Sequence, residues 1–379
     1  MSFIFAVKVS FVLYDYFPFG GLQEDCLLTA RAMQARGHIV EVVTRTWKGE
    51  MPDDLNIHLM GRKGSTNTAR NMHFFAGLKQ YFSENSRDAV VAFNRIPECD
   101  FYFSADPCYL EKVKSKPFWY FWTARHRHYR DCEAALFNRA DKPQIYTLTE
   151  REIDTYRHYY QTPSERFHLL PPGVARVTRT LEEKVQIRAE LRKELDTAED
   201  ATVALFVGSD YKRKGLMRNL KAVKALAEKG TRLEFWVLGA DDPKAYEAFA
   251  QASNLPVHFL GGRADAARFF DAADFLLHPA HSESAGKVLL EALTHGLPVV
   301  VTDSCGYAKQ VGDSGGGVVV TSPFSQDVFN QTVERLARDP EHREALSAAA
   351  LAYCATEDIY NCAESFAQAI ESSREEPSV

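Results

Sequence analysis

The sequence predicts an α/β protein made of two doubly wound domains, each a parallel sheet covered by helices on both faces. Two series of strand patterns alternate with helical patterns, and Pro171, Pro172 and Gly173 separate the two series. The length of 379 residues also fits two domains, at roughly 150 residues each. Because a proline pair fixes an extended linker and glycine permits a turn, we expect the hinge at this segment.

The first series begins with a strand–helix–strand unit over residues 8–44. KVSFVLY is predicted to be a strand, LQEDCLLTARAMQARG a helix that stops at Gly37, and IVEVVT the next strand. Further strands are predicted at 89–94 and 144–149, with helical patterns between them. The predicted N-terminal domain covers residues 1–171.

The second series contains five predicted strands separated by helical stretches. The strands are ATVALFVGS, LEFWVLG, PVHFLGG, FLLHPA and LPVVVTD, and GLMRNLKAVKALAEKG is predicted to be a helix. The predicted C-terminal domain covers residues 172–354. A last helix is expected over 355–372, packing back on the N-terminal domain, before the polar end SSREEPSV.

Composition and charge disfavour several classes of protein. Apolar residues make up 45% of the chain, so a disordered chain is not expected, and the net charge of −6 argues against a nucleic-acid partner. None of the seven cysteines forms a C-x-x-C pair, so we expect reduced, buried thiols. Since no signal peptide or run of 18 apolar residues is present, we expect a cytoplasmic protein, attached to a membrane at most peripherally.

Two glycine-containing segments that follow predicted strands are suited to anions. At Gly20 and Gly21 the backbone N–H groups can approach a phosphate at a helix start, although a plain tight turn explains this pair equally well. Residues 208–215 place three cations, including Arg213 and Lys214, between two glycines before a predicted helix. This arrangement fits a diphosphate, and its alternative is a solvated basic turn; the order of residues is not that of a P-loop.

The most specific motif is HPAHSESAGKVLLEA, residues 278–292, which follows a predicted strand. Glu283 lies in its loop and Glu291 lies eight residues later in the next predicted helix. Carboxylates accept hydrogen bonds from the vicinal hydroxyls of a sugar or ribose. Ala285 and Gly286 are small enough to expose backbone amides at the helix start.

These motifs resemble those of the retaining glycosyltransferases of family 4, which have the GT-B fold of two facing Rossmann-like domains with a cleft between them. The similarity is greatest to members that build the lipopolysaccharide core, and it extends along almost the full chain. The matching strings are YFPFGGLQ, RGH, FNRIP, FSADPCYLEKV, RHY, LPPG, GSDYKRKG, HPAHSESAGKVLLEA, GLPV, CGYA and PFSQ.

The resemblance implies a role for each matching residue. Glu283 is expected at the hydroxyls of the donor sugar, Glu291 at the ribose, and Arg213 and Lys214 at the leaving diphosphate, whose developing charge they would stabilise. Asp106 is expected at a catalytic position where most of the family has histidine. Further donor contacts are implied for Gly20, Gly21, Arg263, Ala285 and Gly286. The sequence departs from the family at Ser209, where arginine is usual, and from the closest members at Lys309.

The implied reaction is retaining transfer of a hexose from a UDP-sugar, with UDP-glucose the expected donor, to the lipopolysaccharide core oligosaccharide. No metal is expected, because the sequence contains no D-x-D triplet. Within this class the alternatives are a UDP-N-acetylhexosamine donor or an outer-core acceptor. From other classes we consider a sugar-nucleotide epimerase or a phosphorylase of the same fold, and a non-catalytic binder of nucleotide sugars.

Residues 111–130 form a basic segment around an aromatic block. The segment has six lysines and arginines against one acidic residue, and Phe118–Trp122 is FWYFW. Cations beside tryptophan and tyrosine indicate contact with the anionic inner face of the cytoplasmic membrane. The alternative is a core helix with a solvated basic flank. Since five consecutive aromatic residues cannot share one helix face, we expect some of them in the core.

Overall fold

The computed structural model describes residues 6–18 and 20–375. The N-terminal residues 1–5, Phe19 of the matching string YFPFGGLQ and residues 376–379 of the polar C-terminus lie outside the described residues. The chain divides into two compact units, Met1–Gly173 with Asn361–Val379 and Val174–Tyr360. These boundaries lie at 173 and 360, close to the residues 171 and 354 at which the sequence places them.

The first unit contains a seven-stranded parallel sheet and a separate pair of two-residue strands in its described part. The strands are β1 (Lys8–Val12), β2 (Asp15–Tyr16), β3 (Ile39–Thr44), β4 (Thr46–Trp47), β5 (Asn56–Leu59), β6 (Ala89–Ala92), β7 (Phe101–Ser104), β8 (Gln144–Thr147) and β9 (Phe167–Leu169). The order across the main sheet is β5-β3-β1-β6-β7-β8-β9. Its central strands are nearly continuous apolar runs, as expected when helices cover both faces.

Five helices and two short 3₁₀ turns connect these strands in the described residues. The helices are α1 (Gly21–Ala35), α2 (Asn67–Glu84), α3 (Tyr109–Val113), α4 (Ala124–Phe137) and α5 (Glu150–Tyr160), and the 3₁₀ turns are Phe118–Trp122 and Ser164–Arg166. The side chain of Thr66 caps α2 by accepting from the Ala69 amide, and Thr123 caps α4 in the same way.

The second unit contains a six-stranded parallel sheet. Its strands are β10 (Val203–Val207), β11 (Glu234–Leu238), β12 (Val257–Phe259), β13 (Phe275–His278), β14 (Val299–Thr302) and β15 (Gly317–Val320). Its helices are α6 (Leu181–Glu194), α7 (Leu216–Glu228), α8 (Lys244–Ala252), α9 (Ala266–Ala272), α10 (Lys287–Thr294), α11 (Ala308–Ser314), α12 (Gln326–Arg338) and α13 (Pro340–Thr356). One more helix, α14 (Cys362–Glu375), belongs to the first unit.

Both main sheets are doubly wound. The order in the second unit is β12-β11-β10-β13-β14-β15, so the direction of winding reverses between β10 and β13. In the first unit the reversal lies between β1 and β6. Such a reversal opens a crevice at the carboxyl ends of the two strands, where open α/β sheets bind their ligands.

The sequence predicts the long apolar strands and misses the two-residue strands β2 and β4. It also misses β5, β7, β9 and β15. These four strands are only three or four residues long, and β5 and β9 are half-exposed or exposed, so they carry little periodic signal. The helix expected over 355–372 is interrupted, because α13 continues to Thr356 and α14 begins at Cys362.

The described residues also bear on the thiols and on membrane crossing. All seven cysteines lie within these residues, all are buried, and no disulfide joins them. Among the helices of residues 6–18 and 20–375, none combines the length and the apolar character that crossing a bilayer requires.

Candidate active site

The two most specific sequence motifs meet at the reversal point of the second sheet. Residues 208–215 leave the carboxyl end of β10, and residues 279–286 leave the carboxyl end of β13. Because β10 and β13 are neighbours in the sheet, their loops emerge side by side at the crevice where a ligand is expected. The structure therefore brings together residues that are about 70 positions apart in the chain.

Glycines allow the two loops to touch. A Cβ at Gly215, which has a φ of +79° and precedes α7, would lie 2.0 Å from the Pro279 carbonyl oxygen. A Cβ at Gly208, with a φ of +148°, would lie 2.7 Å from Cδ of Lys214. Where the loops meet, the His281 amide donates to the carbonyl of Arg213 at 2.7 Å. A side chain at position 215 would push the loops apart, and one at position 208 would displace the Lys214 side chain.

A charged cluster forms between the loops. One carboxylate oxygen of Glu283, Oε2, lies 3.1 Å from Nη1 of Arg213 and 3.1 Å from Nζ of Lys214. Arg213 also donates to Asp210 at 2.7 Å and to the carbonyl of Ser282 at 2.8 Å. Although the Oε2 contacts are at ion-pair distance, their directions do not meet hydrogen-bond geometry. Oε2 of Glu283 is therefore held by charge rather than by directed bonds.

The cluster keeps its groups ionised. Burial raises the pKa of Glu283, but His278, Lys214 and Arg213 outweigh it and bring that pKa well below its usual range. Burial lowers the pKa of Arg213, and the carboxylates of Glu283 and Asp210 reverse this effect, so that the pKa is raised overall. Two cations thus face one carboxylate whose Oε2 is buried, at the end of the sheet.

A third loop, after β14, fixes the backbone of the Glu283 loop. The hydroxyls of Thr302 and Ser304 donate to the Ala280 carbonyl at 2.7 and 2.6 Å. The Gly306 amide donates to the Glu283 carbonyl at 3.1 Å. Sequence reasoning noted CGYA only as a matching string and missed the two hydroxyl residues, which carry no motif of their own.

Sequence reasoning also assigned no role to His278, the last residue of β13. Its side chain is fully buried, stacks on Phe206 at a centroid distance of 6.2 Å, and has Nε2 at 3.8 Å from Oε2 of Glu283. Within the part of the chain that the structure describes, neither ring nitrogen has a hydrogen-bond partner. Burial, together with Lys214 and Arg213, lowers the pKa of His278, so the ring is neutral at physiological pH.

The remaining donor-site candidates of this unit lie around the cluster. Gly286, with a φ of +89°, is the N-cap of α10, and Ala285 beside it is buried. Glu291 is half-buried one turn into α10. Arg263 follows β12, two strands away from β10, and makes two 2.8 Å hydrogen bonds to Asp265. These bonds are the main reason why the pKa of Asp265 is lowered to about 2.

Asp106, the candidate of the first unit, follows β7 and belongs to a second polar cluster. Its carboxylate accepts from Nη1 of Arg95 at 3.2 Å and is 43% exposed. Arg95, which follows β6, also donates to the fully buried Glu133 at 2.9 Å. Both oxygens of Glu133 accept from the Tyr109 amide, at 2.8 and 3.0 Å. Asp106 is thus held by the largely buried Arg95, which is itself bonded to the fully buried Glu133, and sequence reasoning assigned no role to either residue.

The glycine pair of the first unit lies at the start of α1. Gly20 is the N-cap and Gly21 the first helical residue. A Cβ at Gly20 would lie 2.1 Å from Oε1 of Gln23, whose amide nitrogen donates to the Asp15 carbonyl at 3.1 Å. Glycine at position 20 therefore avoids a clash with the Gln23 side chain, whether or not a ligand binds there.

The aromatic block corrects an expectation from the sequence. Phe118–Trp122 forms a 3₁₀ turn in which no residue is buried, so the prediction that some of these aromatic side chains lie in the core is wrong. Phe118, Trp119 and Trp122 are 76, 65 and 72% exposed. Tyr120 alone turns inward, with its hydroxyl 3.1 Å from that of Tyr109. A 3₁₀ turn has three residues per turn, so it distributes five side chains around its axis.

In residues 6–18 and 20–375, no three histidine, cysteine or acidic side chains are grouped so that they could hold a metal ion. The polar clusters of both units are instead built from carboxylates and arginines or lysines.

Comparisons with known proteins identify relatives of the whole chain. Residues 187–352 match the family model described as glycosyl transferases group 1. The lipopolysaccharide glucosyltransferase WaaG of Escherichia coli K12 is 40% identical over 367 residues, covering 96% of this chain and 98% of the relative.

Solved structures agree with this result. The crystal structure of WaaG, described as a glycosyltransferase involved in lipopolysaccharide biosynthesis, superposes with a TM-score of 0.91 at 39% identity and covers 96% of this chain and 99% of that one. A sucrose-phosphate synthase from Thermosynechococcus elongatus shares the fold alone, with a TM-score of 0.78 at 16% identity over 97% of this chain and 99% of that one. The predicted GT-B class is confirmed.

Proposed function

Since the chain belongs to the group 1 glycosyl transferases, we propose that it transfers glucose from UDP-glucose to a sugar of the lipopolysaccharide core, with retention of anomeric configuration. The observation that carries this proposal is the cluster of Arg213, Lys214 and Glu283 at the reversal point of the second sheet. A nucleotide sugar needs cations for its diphosphate and carboxylates for its hydroxyls, and the cluster supplies both kinds of group.

Arg213 and Lys214 are the proposed diphosphate ligands. Both side chains are partly buried, at 35 and 16% exposure, so their charges are less screened than those of surface residues. As the bond from the sugar to the diphosphate breaks, negative charge grows on the leaving oxygen. Preorganised cations stabilise that charge more than they stabilise the intact donor, and this difference is what accelerates the reaction.

The carboxylates are proposed to orient the sugars. Glu283 is ionised and lies beside the cations, so it can accept hydrogen bonds from hydroxyls of the transferred hexose. Glu291, one turn into α10, is proposed for the ribose, and Arg263 for the uracil. Arg263 donates through Nε and Nη2 to Asp265 and through Nη1 to Glu194 at 3.3 Å, so these carboxylates would hold the guanidinium in position.

The first unit is proposed to contribute the residues that contact the acceptor. Asp106 stands half-exposed on the rigid support of Arg95 and Glu133, at the carboxyl-end edge of the sheet. Gly20 and Gly21 open α1 at the same edge, where backbone amides can approach a phosphate or sugar. Asp106 is therefore proposed to contact the reacting sugars directly.

Contact with the anionic inner face of the cytoplasmic membrane is proposed for residues 111–130. The exposed aromatic side chains are flanked by six exposed cations, namely Lys112, Lys114, Lys116, Arg125, Arg127 and Arg130. An anionic leaflet attracts each such cation by about 1 kcal/mol, and exposed tryptophan adds interfacial burial. Since the proposed acceptor is carried by a lipid, this contact would bring enzyme and acceptor to the same surface.

The proposed reaction is tested by measuring release of UDP from UDP-glucose, UDP-galactose and UDP-N-acetylglucosamine, with and without core oligosaccharides truncated at successive sugars. We expect acceptor-dependent release with UDP-glucose, no loss in the presence of EDTA, and product that keeps the α configuration by NMR. Arg213→Ala should abolish release, whereas Arg338→Ala, an exposed cation of the same unit, serves as the matched control. Preference for another donor would revise the donor, and inversion at the anomeric carbon would refute the mechanism.

A further inference from the structure

His278 is a buried ionisable side chain that lies beside the cluster of Glu283, Arg213 and Lys214. It is fully buried at the end of β13, and both ring nitrogens lack hydrogen-bond partners among these residues. Leaving a buried polar group unpaired costs free energy, so such a group in a ligand-binding crevice calls for an explanation. Oε2 of the ionised Glu283 lies 3.8 Å from Nε2, just beyond hydrogen-bonding distance.

Under the proposed function, Glu283 and the donor diphosphate compete for the same cations. Glu283 is held by Arg213 and Lys214, which are the same two cations that a donor diphosphate would engage. When the diphosphate draws these cations toward itself, Glu283 loses part of its compensation while remaining buried. A buried carboxylate then needs another donor nearby.

We propose that His278 is a positioning residue. When the donor diphosphate occupies Arg213 and Lys214, His278 replaces them as the partner of Glu283 by donating a hydrogen bond to its carboxylate. A shift of less than 1 Å brings Nε2–H within hydrogen-bonding distance of Oε2, on the order of the adjustments expected of side chains on binding. The new bond fixes the carboxylate for the sugar hydroxyls. This inference rests on the proposed function.

This change in the partners of Glu283 is coupled to protonation of His278. The ionisable groups around the ring are Glu283, Lys214 and Arg213, and Cys305 lies next to Glu283 with its pKa raised to about 12 by burial. In the free enzyme, burial and the two cations keep the ring neutral. A bound diphosphate neutralises the cations and leaves the ring facing Glu283, which favours the protonated form. Donor binding near neutral pH should therefore take up protons.

The substitutions that separate positioning from packing are His278→Gln and His278→Phe. Glutamine keeps one N–H donor near the Nε2 position and does not titrate, whereas phenylalanine keeps the stacking on Phe206 and has no donor. His258→Gln is the matched control, because His258 pairs with Glu234 at 3.3 Å in the same unit but away from the cluster.

The experiment is calorimetric titration with UDP-glucose in buffers of different ionisation enthalpy, since its diphosphate diester does not itself titrate near neutral pH. We expect proton uptake in the wild type and in His258→Gln and almost none in His278→Gln. Failure of UDP-glucose to bind the wild type would count against the proposed function. Equal proton uptake in the wild type and His278→Gln would overturn the role of His278 alone.

Turnover provides the second readout. We expect His278→Phe to lower kcat by about tenfold or more with little change in KM for UDP-glucose, and His278→Gln to lose much less, because one hydrogen bond in the transition state is worth about that factor. Equal losses in both variants, accompanied by equal drops in thermal stability, would assign the residue a packing role and refute the proposal.

Discussion

Glu283 and Glu291 occupy different environments although their motif presents them as a pair. Glu283 lies between two cations in the loop after β13, whereas Glu291 lies within α10. We expect Glu283→Gln to abolish most turnover while leaving UDP affinity unchanged or higher, since the cations are then freed for the diphosphate. Glu291→Gln should weaken UDP binding by about 1.5–3 kcal/mol through the loss of a charge-assisted bond to ribose.

Isothermal titration with UDP, together with kcat for UDP-glucose, checks this pair of substitutions. Glu228→Gln, an exposed residue at the end of α7, is the control for a change of charge in the same unit. Equal weakening of UDP binding by Glu283→Gln and Glu291→Gln would contradict the separate roles.

The buried carboxyl group of Glu152 predicts that the stability of the first unit depends on pH. It is buried near the start of α5, where its carboxylate accepts a long 3.4 Å bond from the Cys108 amide, and burial raises its pKa to about 7. Because the folded pKa lies above the unfolded value, the native state binds more protons between these two values. The contribution of Glu152 to stability is therefore complete at low pH and is lost as the pH rises through about 7.

The substitution Glu152→Gln should remove this loss. Relative to the wild type, we expect the variant to gain up to about 3 kcal/mol in free energy of unfolding between pH 5 and pH 8, the size that a shift of this magnitude implies. Urea unfolding at both pH values measures the difference. Glu150→Gln, on an exposed side chain of the same helix, should show no such gain. Equal pH dependence in the wild type and Glu152→Gln would contradict the buried-carboxyl argument.

Aromatic side chains that are usually buried are exposed in the 3₁₀ turn Phe118–Trp122, which lies between α3 and α4. The turn is too short to bury its own side chains, and Tyr120 anchors it through the Tyr109 hydroxyl. Three of its large side chains project outward beside exposed cations. Large exposed apolar groups with a basic rim are typical of surfaces that bind membranes.

We predict that the protein co-sediments with vesicles containing anionic lipid, less at high salt, and little with neutral vesicles. Replacing Lys112, Lys114, Lys116 and Arg125 by glutamine should abolish co-sedimentation and leave UDP affinity intact. The control replaces four exposed lysines elsewhere in the chain, Lys48, Lys63, Lys221 and Lys244. Unchanged sedimentation of the first variant, or an equal loss in the control, would remove this segment as the membrane contact.

At the scale of the molecule, the chain crosses to the second unit at Val174 and returns to the first at Asn361. The returning helix, α14, packs against α1, and Arg36 pairs with Glu371 at 2.8 Å. Phe366 of α14 is fully buried against Phe93, Phe103 and Tyr146. The last helix in the sequence therefore completes the core of the first unit.

Phe366→Ala should destabilise the first unit by about 3–5 kcal/mol, the usual cost of removing a large buried aromatic side chain. Native-state hydrogen exchange locates the effect, since amides of β6–β8 should lose protection while those of β10–β14 keep theirs. Val328→Ala, at a half-exposed position of α12, is the control for a lost apolar side chain. Loss of protection in both sheets would mean that the units do not unfold independently.

Much of the architecture was predictable from local patterns. Long apolar strands such as β10 and β11 are buried on both faces, so their sequences are continuous hydrophobic runs, and glycines end the helices between them. The motif around Glu283 and the cations at 213 and 214 were also recognisable, because their chemistry needs particular residue types at fixed spacing. Short strands such as β5 and β15 were not predictable, since their pairing partners rather than their own residues stabilise them.

The sequence by itself determined the fold class, the family and the chemical identity of the residues in the two leading motifs. Only the tertiary structure decided that Glu283 Oε2 lies 3.1 Å from both Arg213 and Lys214, that His278 stands unpaired beside them, and that Arg95 and Glu133 support Asp106. Local patterns reflect interactions between residues a few positions apart. These contacts join residues from separate strands, and their distances depend on how the sheet orders those strands.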